Sequence, residues 1–530
     1  MPSLKEQNQL ITTEAAMIHP QLDFRTPKKV GFGAVGGGSS HYFWVLEILQ
    51  ELTGRGHEAT LFTRSDSLRF ANDYQGIQTH SVGGDFNFVA SQDNATVKVH
   101  MQHRPPNPDR FIRRVMPSLL SNYSDEYLEF ERTIKNNKMD IMLCDIFALA
   151  CIDAATKANI PLITTSTMTY SQDSRPSYIS NVIPSFNNPT IETMTLWERF
   201  QYLFYRYYIP FRIHQVGLPS HDFQKQRGIP LTATLDSVHT QHAMKLINNM
   251  FGLEAARPMG PLVQLVGPIL RHQYFELTPD MMTFLDAHDR VAYIAFGQHA
   301  VPTEEDTTFL VTALYYLLEQ GYLDGILWAS GKHHPIPHFP SSGNTTKDIL
   351  VTGWAPQFAI LQHPSTGLFV THGGAGSVHE GLFNKVPLFV YPFFGDQPLT
   401  ARLVRQLQLG DYIDTSGMQY TDAVLTQLIE RMQAVLTDHS IHKAVLHYGN
   451  AVQVRSLHAV HRGADLVEEA IFGAIDGTLP HLADVGDRLG WFKKYNIDLL
   501  MVVLVGFGVL WWIQRKLSGM VRVTRKMKTI

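Results

Sequence analysis

The residues best placed to do chemistry lie between Trp354 and Gln397, in the 44-residue stretch WAPQFAILQHPSTGLFVTHGGAGSVHEGLFNKVPLFVYPFFGDQ. It opens on Trp354 beside a proline turn closed by Gln357, an aromatic face on which a nucleobase can stack. A short apolar run, Gly367–Thr371, then delivers His372-Gly373-Gly374-Ala375-Gly376-Ser377 onto a helix start. Small residues such as Gly374, Gly376 and Ser377 let backbone N–H groups approach a diphosphate, and the helix dipole favours its charge. Glu380 follows about one helical turn later, where a carboxylate can accept from a ribose diol. Beyond the next apolar run, Asp396 and Gln397 set an acid and an amide where sugar hydroxyls can be bridged.

A second glycine pattern, Gly31-Phe32-Gly33-Ala34-Val35-Gly36, has the G-x-G-x-x-G spacing of a dinucleotide-binding turn. The acid that should close the following strand is missing. That strand ends in Thr63-Arg64, and Asp66 lies 30 positions after Gly36. Glycines that allow close βα packing fit the same residues, so an NAD(P)-dependent oxidoreductase stands only as an alternative. There is no G-x-S-x-G elbow, and His379-Glu380 does not continue to H-E-x-x-H, which removes serine hydrolases and zincins. No D-x-D cluster points to a metal.

Short apolar strands alternating with helical stretches must position these groups. Val30–Val35, His57–Thr63, Met139–Cys144 and Pro161–Thr165 are expected strands of the first half, with helices over Phe43–Thr53 and Phe147–Lys157. Proline and glycine then concentrate at Arg257–Leu270, and the alternation restarts with Val291–Phe296, Gly325–Ala329, Ile349–Thr352, Gly367–Thr371 and Pro387–Tyr391. Nearly continuous apolar runs of this length suit parallel strands buried on both faces. The expected fold class is therefore α/β, as two Rossmann-like parallel-sheet domains facing a cleft. Apolar residues at 44% supply a large core, and a net charge of −4 argues against a general nucleic-acid binder. Two cysteines, Cys144 and Cys151, exclude a disulfide-built scaffold or a cysteine-built zinc site.

The ends differ. Residues 1–27 read as an arm without a recognisable signal peptide. Leu499–Ile513 carries no charge, and paired Trp511-Trp512 followed by basic residues look like an interfacial anchor. With the four preceding residues it gives a single membrane helix over 495–513, then a basic tail, 514–530, holding six Lys and Arg and no acid.

In these features the chain resembles the UDP-glycosyltransferases. Their donor signature reads W-x-P-Q, H-x-G-x-x-S/G-x-x-E and P-x-x-x-D-Q, and this chain supplies Trp354, Pro356, Gln357; His372, Gly374, Ser377, Glu380; and Pro392, Asp396, Gln397. Ala375-Gly376 replace the Trp-Asn of plant members, and the GGAGS wording looks more like sterol glycosyltransferases. Phe296-Gly297-Gln298 resembles the F-G-S loop beside the phosphates, with Gln298 where serine is usual. Ser40-His41-Tyr42 and Glu51-Leu52-x-x-Arg55-Gly56-His57-Glu58 resemble the first strand–helix–strand of the family. The likeness is thinnest over Ser67–Asn137 and Ser171–Leu246, where acceptors are expected to bind.

The resemblance implies the GT-B fold: an acceptor domain over 28–256, a donor domain over 257–455 and a returning helical segment over 456–480. It implies His41 as general base, oriented by Asp145, in metal-independent transfer with inversion at the anomeric carbon. No cofactor is expected beyond the co-substrate, a UDP-sugar with UDP-glucose first. The expected acceptor is a hydroxyl of a lipophilic small molecule such as a sterol, terpenoid, polyketide, phenolic or lipid. A membrane-tethered, non-catalytic donor-binding subunit is the other alternative, and an idle copy would have no reason to keep His41 and Asp145. The expected setting is the endoplasmic reticulum membrane. The flanking charges favour a cytosolic tail, whereas the lack of an export signal favours cytosolic catalytic domains on a tail anchor, which is the topology expected. Sequons at Asn94, Asn122 and Asn344 do not decide between the two.

Overall fold

A computed structural model describes residues 25–84, 112–113, 116–169, 171–176, 178–179, 190–192, 194–232, 240–340 and 347–527. Asn94, Asn344, most of the N-terminal arm and much of the expected acceptor region lie outside the described residues.

The apolar runs of the first half form β1 (Lys29–Gly33), β2 (Glu58–Arg64), β4 (Ile141–Asp145) and β5 (Leu162–Ser166), joined by β3 (Ile77–Gly83), β6 (Met244–Ile247) and β7 (Val263–Leu265). They make one sheet in the order β3-β2-β1-β4-β5-β6-β7, parallel at every described pairing. The second half builds β8 (Val291–Ala295), β9 (Gly325–Ala329), β10 (Ile349–Thr352), β11 (Thr366–Thr371), β12 (Leu388–Val390) and β13 (Gly410–Tyr412). Their order is β10-β9-β8-β11-β12-β13, again all parallel. Both sheets thus reverse direction beside their first strand, between β1 and β4 and between β8 and β11. Crevices at such reversals, outside the carboxyl ends of the strands, are where doubly wound sheets bind ligands.

The helices that matter here are α1 (Ser39–Gly54), α2 (Leu149–Lys157), α3 (Leu196–Val216), α4 (Ala375–Phe383), α5 (Gln397–Gln406), α6 (Ala459–Gly473) and α7 (Ile497–Met527). Helix α6 returns to the first sheet and packs on α1, where a side chain at Gly463 would collide with Ile48. Buried Glu468 fixes that contact by accepting from Arg25, Arg55 and His57 at 2.5, 2.5 and 3.1 Å. Burial alone would push the Glu468 carboxyl up, but donation from Arg25, His57 and Arg55 holds it down at about 2.

Two readings need correction. The Pro/Gly-rich stretch Arg257–Leu270 is not only a connector, because β7 inside it completes the first sheet. β3 and the very short β6, β7 and β13 were not anticipated: β3 is an edge strand buried only at Ile77 and Val82, and the others are three or four residues long. Cys144 and Cys151 are joined by a disulfide between β4 and α2, a single local link that leaves the exclusion of a disulfide-built scaffold standing.

Residues 481–530 form a separate unit. Within it α7 is longer than the apolar run that announced it, and the basic tail continues the same helix to Met527. Ile497–Leu517, 21 residues, is long and apolar enough to cross a membrane by length and composition. At 1.5 Å per residue it covers about 31 Å, close to a bilayer's hydrocarbon thickness. Arg515 lies 5.1 Å from the Trp511 ring centroid and Lys516 4.4 Å from that of Trp512, aromatic–basic pairing suited to a membrane boundary.

Candidate active site

His41 and Asp145 are 104 positions apart, yet neighbouring strands bring them together. Gly33 on β1 pairs with Cys144 on β4, so the turn into α1 faces the end of β4. Gly37 turns with φ +80°, and any side chain there would run into the His41 ring. His41 Nδ1 lies 2.8 Å from Asp145 Oδ2, and the other carboxylate oxygen accepts the Phe147 backbone N–H at 3.0 Å. Asp145 is buried, so this pairing is protected from water. Burial favours the neutral imidazole, but the Asp145 charge and hydrogen bond, with the Asp396 charge behind them, raise the pKa above 6.5. The hydrogen-bond network assigns the proton to Nδ1, which leaves a lone pair on Nε2.

Gly31 and Gly33 serve packing. A side chain at Gly31 would meet Met142 and Phe62, and one at Gly33 would meet Cys151 and Phe130. The glycine spacing that resembled a dinucleotide motif therefore has a steric explanation inside the sheet.

The second crevice repeats the device with different chemistry. The ends of β8 and β11 are adjacent, with Ala295 paired to Thr371, so Gly297-Gln298 and His372 converge. Gly297 has φ +71°, and a Cβ there would stand 2.9 Å from His372 Cε1. Gly374 is equally constrained by the same ring. Burial, reinforced by nearby His299 and His334, pushes the His372 imidazole down to about 4. It is neutral at pH 7 and can donate one N–H. Gly374 begins α4 without a side-chain cap, so the first-turn amides of Ala375, Gly376 and Ser377 find no capping acceptor there.

Further along α4, Glu380 is held from both sides. Gln357 donates to Oε2 at 2.8 Å and approaches Ser377 Oγ at 3.4 Å, while the Tyr274 hydroxyl donates to Oε1 at 3.3 Å. Burial raises the Glu380 carboxyl pKa, partly offset by those two donors. Trp354 is 57% exposed, so one face is open, and Phe275 meets it edge-on at 5.4 Å.

Asp396 and Gln397 part company. Burial pushes Asp396 up to about 6, against its own backbone N–H and the His41 charge. Gln397 is buried, and its Oε1 accepts the backbone N–H groups of Phe393 and Phe394 at 2.8 and 3.1 Å. Its carbonyl oxygen is thus spent on shaping the loop, contrary to the expectation that the amide as a whole faces a sugar. Only the Nε2 donor is left for that purpose.

Both crevices open onto one cleft. A Cβ at Gly38 would lie 3.3 Å from Gln298 Oε1, and one at Gly376 would lie 3.6 Å from Ser40. The segment that follows the connector contributes residues that sequence reasoning missed. Arg271 sits 4.1 Å over the Phe43 ring and pairs with Asp73 at 2.7 Å, and His272 Nδ1 pairs with buried Glu47 at 2.9 Å. Tyr274 stacks on Phe358 at 4.0 Å and so reaches Glu380. The aromatic and basic run Arg271–Phe275 straight after a Pro/Gly connector was the available signal.

Comparison with known proteins gives this cleft a context. The family model described as "UDP-glucoronosyl and UDP-glucosyl transferase" matches residues 35–527. "UDP-glycosyltransferase 1" of Phaeomoniella chlamydospora is 27% identical over 432 residues, covering 77% of this chain and 86% of that protein. Among solved structures, the glycotransferase of kitacinnamycin superposes with a TM-score of 0.60 at 18% identity, over 84% of this chain and all of that one. The UDP-glucose: anthocyanidin 3-O-glucosyltransferase in complex with UDP gives 0.57 at 18% identity, over 85% and 100%. At these identities the structures show the shared two-domain GT-B fold.

Proposed function

Because the chain belongs to the UDP-glucosyl and UDP-glucuronosyl transferases, and is therefore a UDP-sugar-dependent glycosyltransferase, we propose that it moves glucose from UDP-glucose to a hydroxyl of a lipophilic small molecule, with His41 as the base. The observation that carries this is the 2.8 Å His41–Asp145 pair standing across one cleft from the uncapped start of α4. His41 Nε2 takes the acceptor hydroxyl proton as the oxygen attacks the anomeric carbon from the face opposite the diphosphate. The bond from that carbon to the diphosphate oxygen breaks, and UDP departs with the electron pair, inverting the centre. Asp145 keeps the imidazole in the Nδ1–H tautomer and stabilises the imidazolium that forms.

Donor roles follow the geometry. Trp354 offers the base a stacking face, and Glu380, braced by Gln357 and Tyr274, accepts from the ribose. His372, Ser377 and the amides of Gly374–Ser377, with Gly297-Gln298 opposite, surround the diphosphate and its developing charge. Asp396 accepts from sugar hydroxyls and Gln397 donates to them. Glucose is favoured because the similar glucosyltransferase solved with UDP is named for UDP-glucose. We read Ile497–Leu517 as a single-pass anchor in the endoplasmic reticulum membrane. The cytosolic placement of the catalytic unit is a proposal of the same kind, made against the Cys144–Cys151 disulfide, a bond rare in the reducing cytosol, and protease protection of that unit in intact microsomes would reverse it.

The test is a panel of UDP-sugars against pooled sterols, phenolics and hydroxylated lipids, read by mass shift. A hexose added from UDP-glucose is expected. A uronic acid or N-acetylhexosamine added instead would replace the donor assignment, and turnover of no UDP-sugar with any acceptor would sink the catalytic reading.

A further inference from the structure

Helix α3 spends its apolar residues on the outside. Trp197, Phe200, Leu203, Phe204, Tyr207 and Phe211 recur every three or four positions, and each is 51–64% exposed. Trp197 stacks on Phe200 at 5.6 Å and Phe200 meets Phe204 at 5.2 Å, so the stripe is continuous. The helix is anchored at its far end, where Ile213 is 1% exposed, and it starts on a capping box between Thr195 and Glu198. A stripe of this size left to water is costly, and on soluble proteins such patches mark surfaces that something covers.

We propose that α3 lies in the polar–apolar boundary of a lipid bilayer and docks the catalytic unit onto the membrane. Three observations select lipid. Tryptophan, tyrosine and phenylalanine dominate the stripe, the side chains that settle at membrane interfaces. Glu198 is the only acid between residues 196 and 216, and it is bound up in the cap, whereas Arg199 and Arg212 supply positive charge that complements anionic headgroups. The same chain also carries α7, whose length and composition suit a membrane span, and the inference rests on the reading of α7 as the anchor, which brings a bilayer to this protein.

The experiment uses the full chain in nanodiscs of phosphatidylcholine and phosphatidylserine, with acyl chains brominated near the carbonyl end or left unbrominated. Subtracting the emission of Trp197→Phe from that of the wild type isolates the exposed Trp197. Docking predicts that this component loses most of its intensity to the bromines and little to aqueous acrylamide. Phe200→Glu combined with Phe204→Glu should reverse that pattern while UDP affinity stays unchanged. Quenching by acrylamide but not by bromine in the wild type would overturn the proposal. So would protection from both quenchers together with disulfide cross-linking between copies of a Phe204→Cys variant, which would mean that a second copy covers the stripe.

Discussion

The two crevices of the cleft share one topology and treat charge in opposite ways. Beside β1 and β4, a buried carboxylate raises the basicity of His41 and prepares it to become a cation. Beside β8 and β11, burial drives ionisable groups toward neutrality: His372 and His379 fall to about 4, Asp396 rises to about 6 and Glu380 rises as well. A base needs its counter-charge built in. A site for a diphosphate does better with oriented N–H dipoles and neutral donors, because the ligand brings the charge. The folding device is common to both halves, a glycine beside a histidine at the carboxyl end of a parallel strand, and the electrostatics divide the labour.

The largest effect should come from breaking the charged half. His41→Ala is expected to lower turnover by about 10²–10⁴-fold, the usual scale for losing a general base, read as product formed at saturating UDP-sugar. Turnover close to the wild type would remove His41 from the chemistry.

On the donor side, Trp354→Ala should weaken UDP binding by about 1–3 kcal/mol if its open face stacks on the base. Isothermal titration with UDP checks this, and an unchanged affinity would leave the exposed indole without that role.

Asp145→Asn tests why His41 is basic. If His41 is the base, catalysis needs the neutral imidazole, and its pKa is raised above the ordinary histidine value, so activity should fall as pH drops through a correspondingly raised midpoint. Removing the Asp145 charge leaves burial as the largest influence, so the midpoint should move to lower pH even though the maximal rate falls. A pH–kcat/KM profile whose midpoint stays put would show that Asp145 does not tune the base.

The smallest donor-side change is Tyr274→Phe, which deletes one hydroxyl bonded to Glu380. A loss of about 1 kcal/mol in UDP affinity is expected, the size of one hydrogen bond, with kcat nearly unaffected. The penalty should disappear with 2′-deoxy-UDP if Glu380 binds the ribose. A kcat effect as large as the KM effect would place Tyr274 elsewhere in the cycle.

The same contrast explains what the sequence makes visible. The proposed donor crevice is local in the chain: Trp354, His372, Ser377, Glu380 and Asp396 stand in one continuous box, and the spacing of a strand, a glycine turn and a helix is readable directly. The crevice proposed to hold the base is not. Nothing between His41 and Asp145 ties one to the other, and only the β1–β4 pairing joins them, so their partnership rested on family resemblance until the strand order was in hand. Long apolar strands such as β8, β9 and β11 were legible for the reason that makes them buried on both faces. Three-residue β7 and β13 are too short to carry a period, and β3 is a mostly uncovered edge strand with only Ile77 and Val82 buried, so it has neither an apolar run nor an alternation. Tyr274 was missed because the aromatic and basic run after the connector has no periodicity to assign it, and its role comes from the place where stacking on Phe358 leaves its hydroxyl. For Gln397 the spacing points to a sugar contact but cannot show that its Oε1 also accepts from its own loop, which leaves the Nε2 donor for that role.

The division of labour between the two crevices is tested most directly by titrating UDP into His41→Ala. If the donor half is complete without the base, the dissociation constant should match that of the wild type within about twofold, the scatter expected for independent sites. A loss of affinity of about tenfold or more, equivalent to some 1.4 kcal/mol, would show that His41 helps to hold the nucleotide and that the cleft does not divide as described.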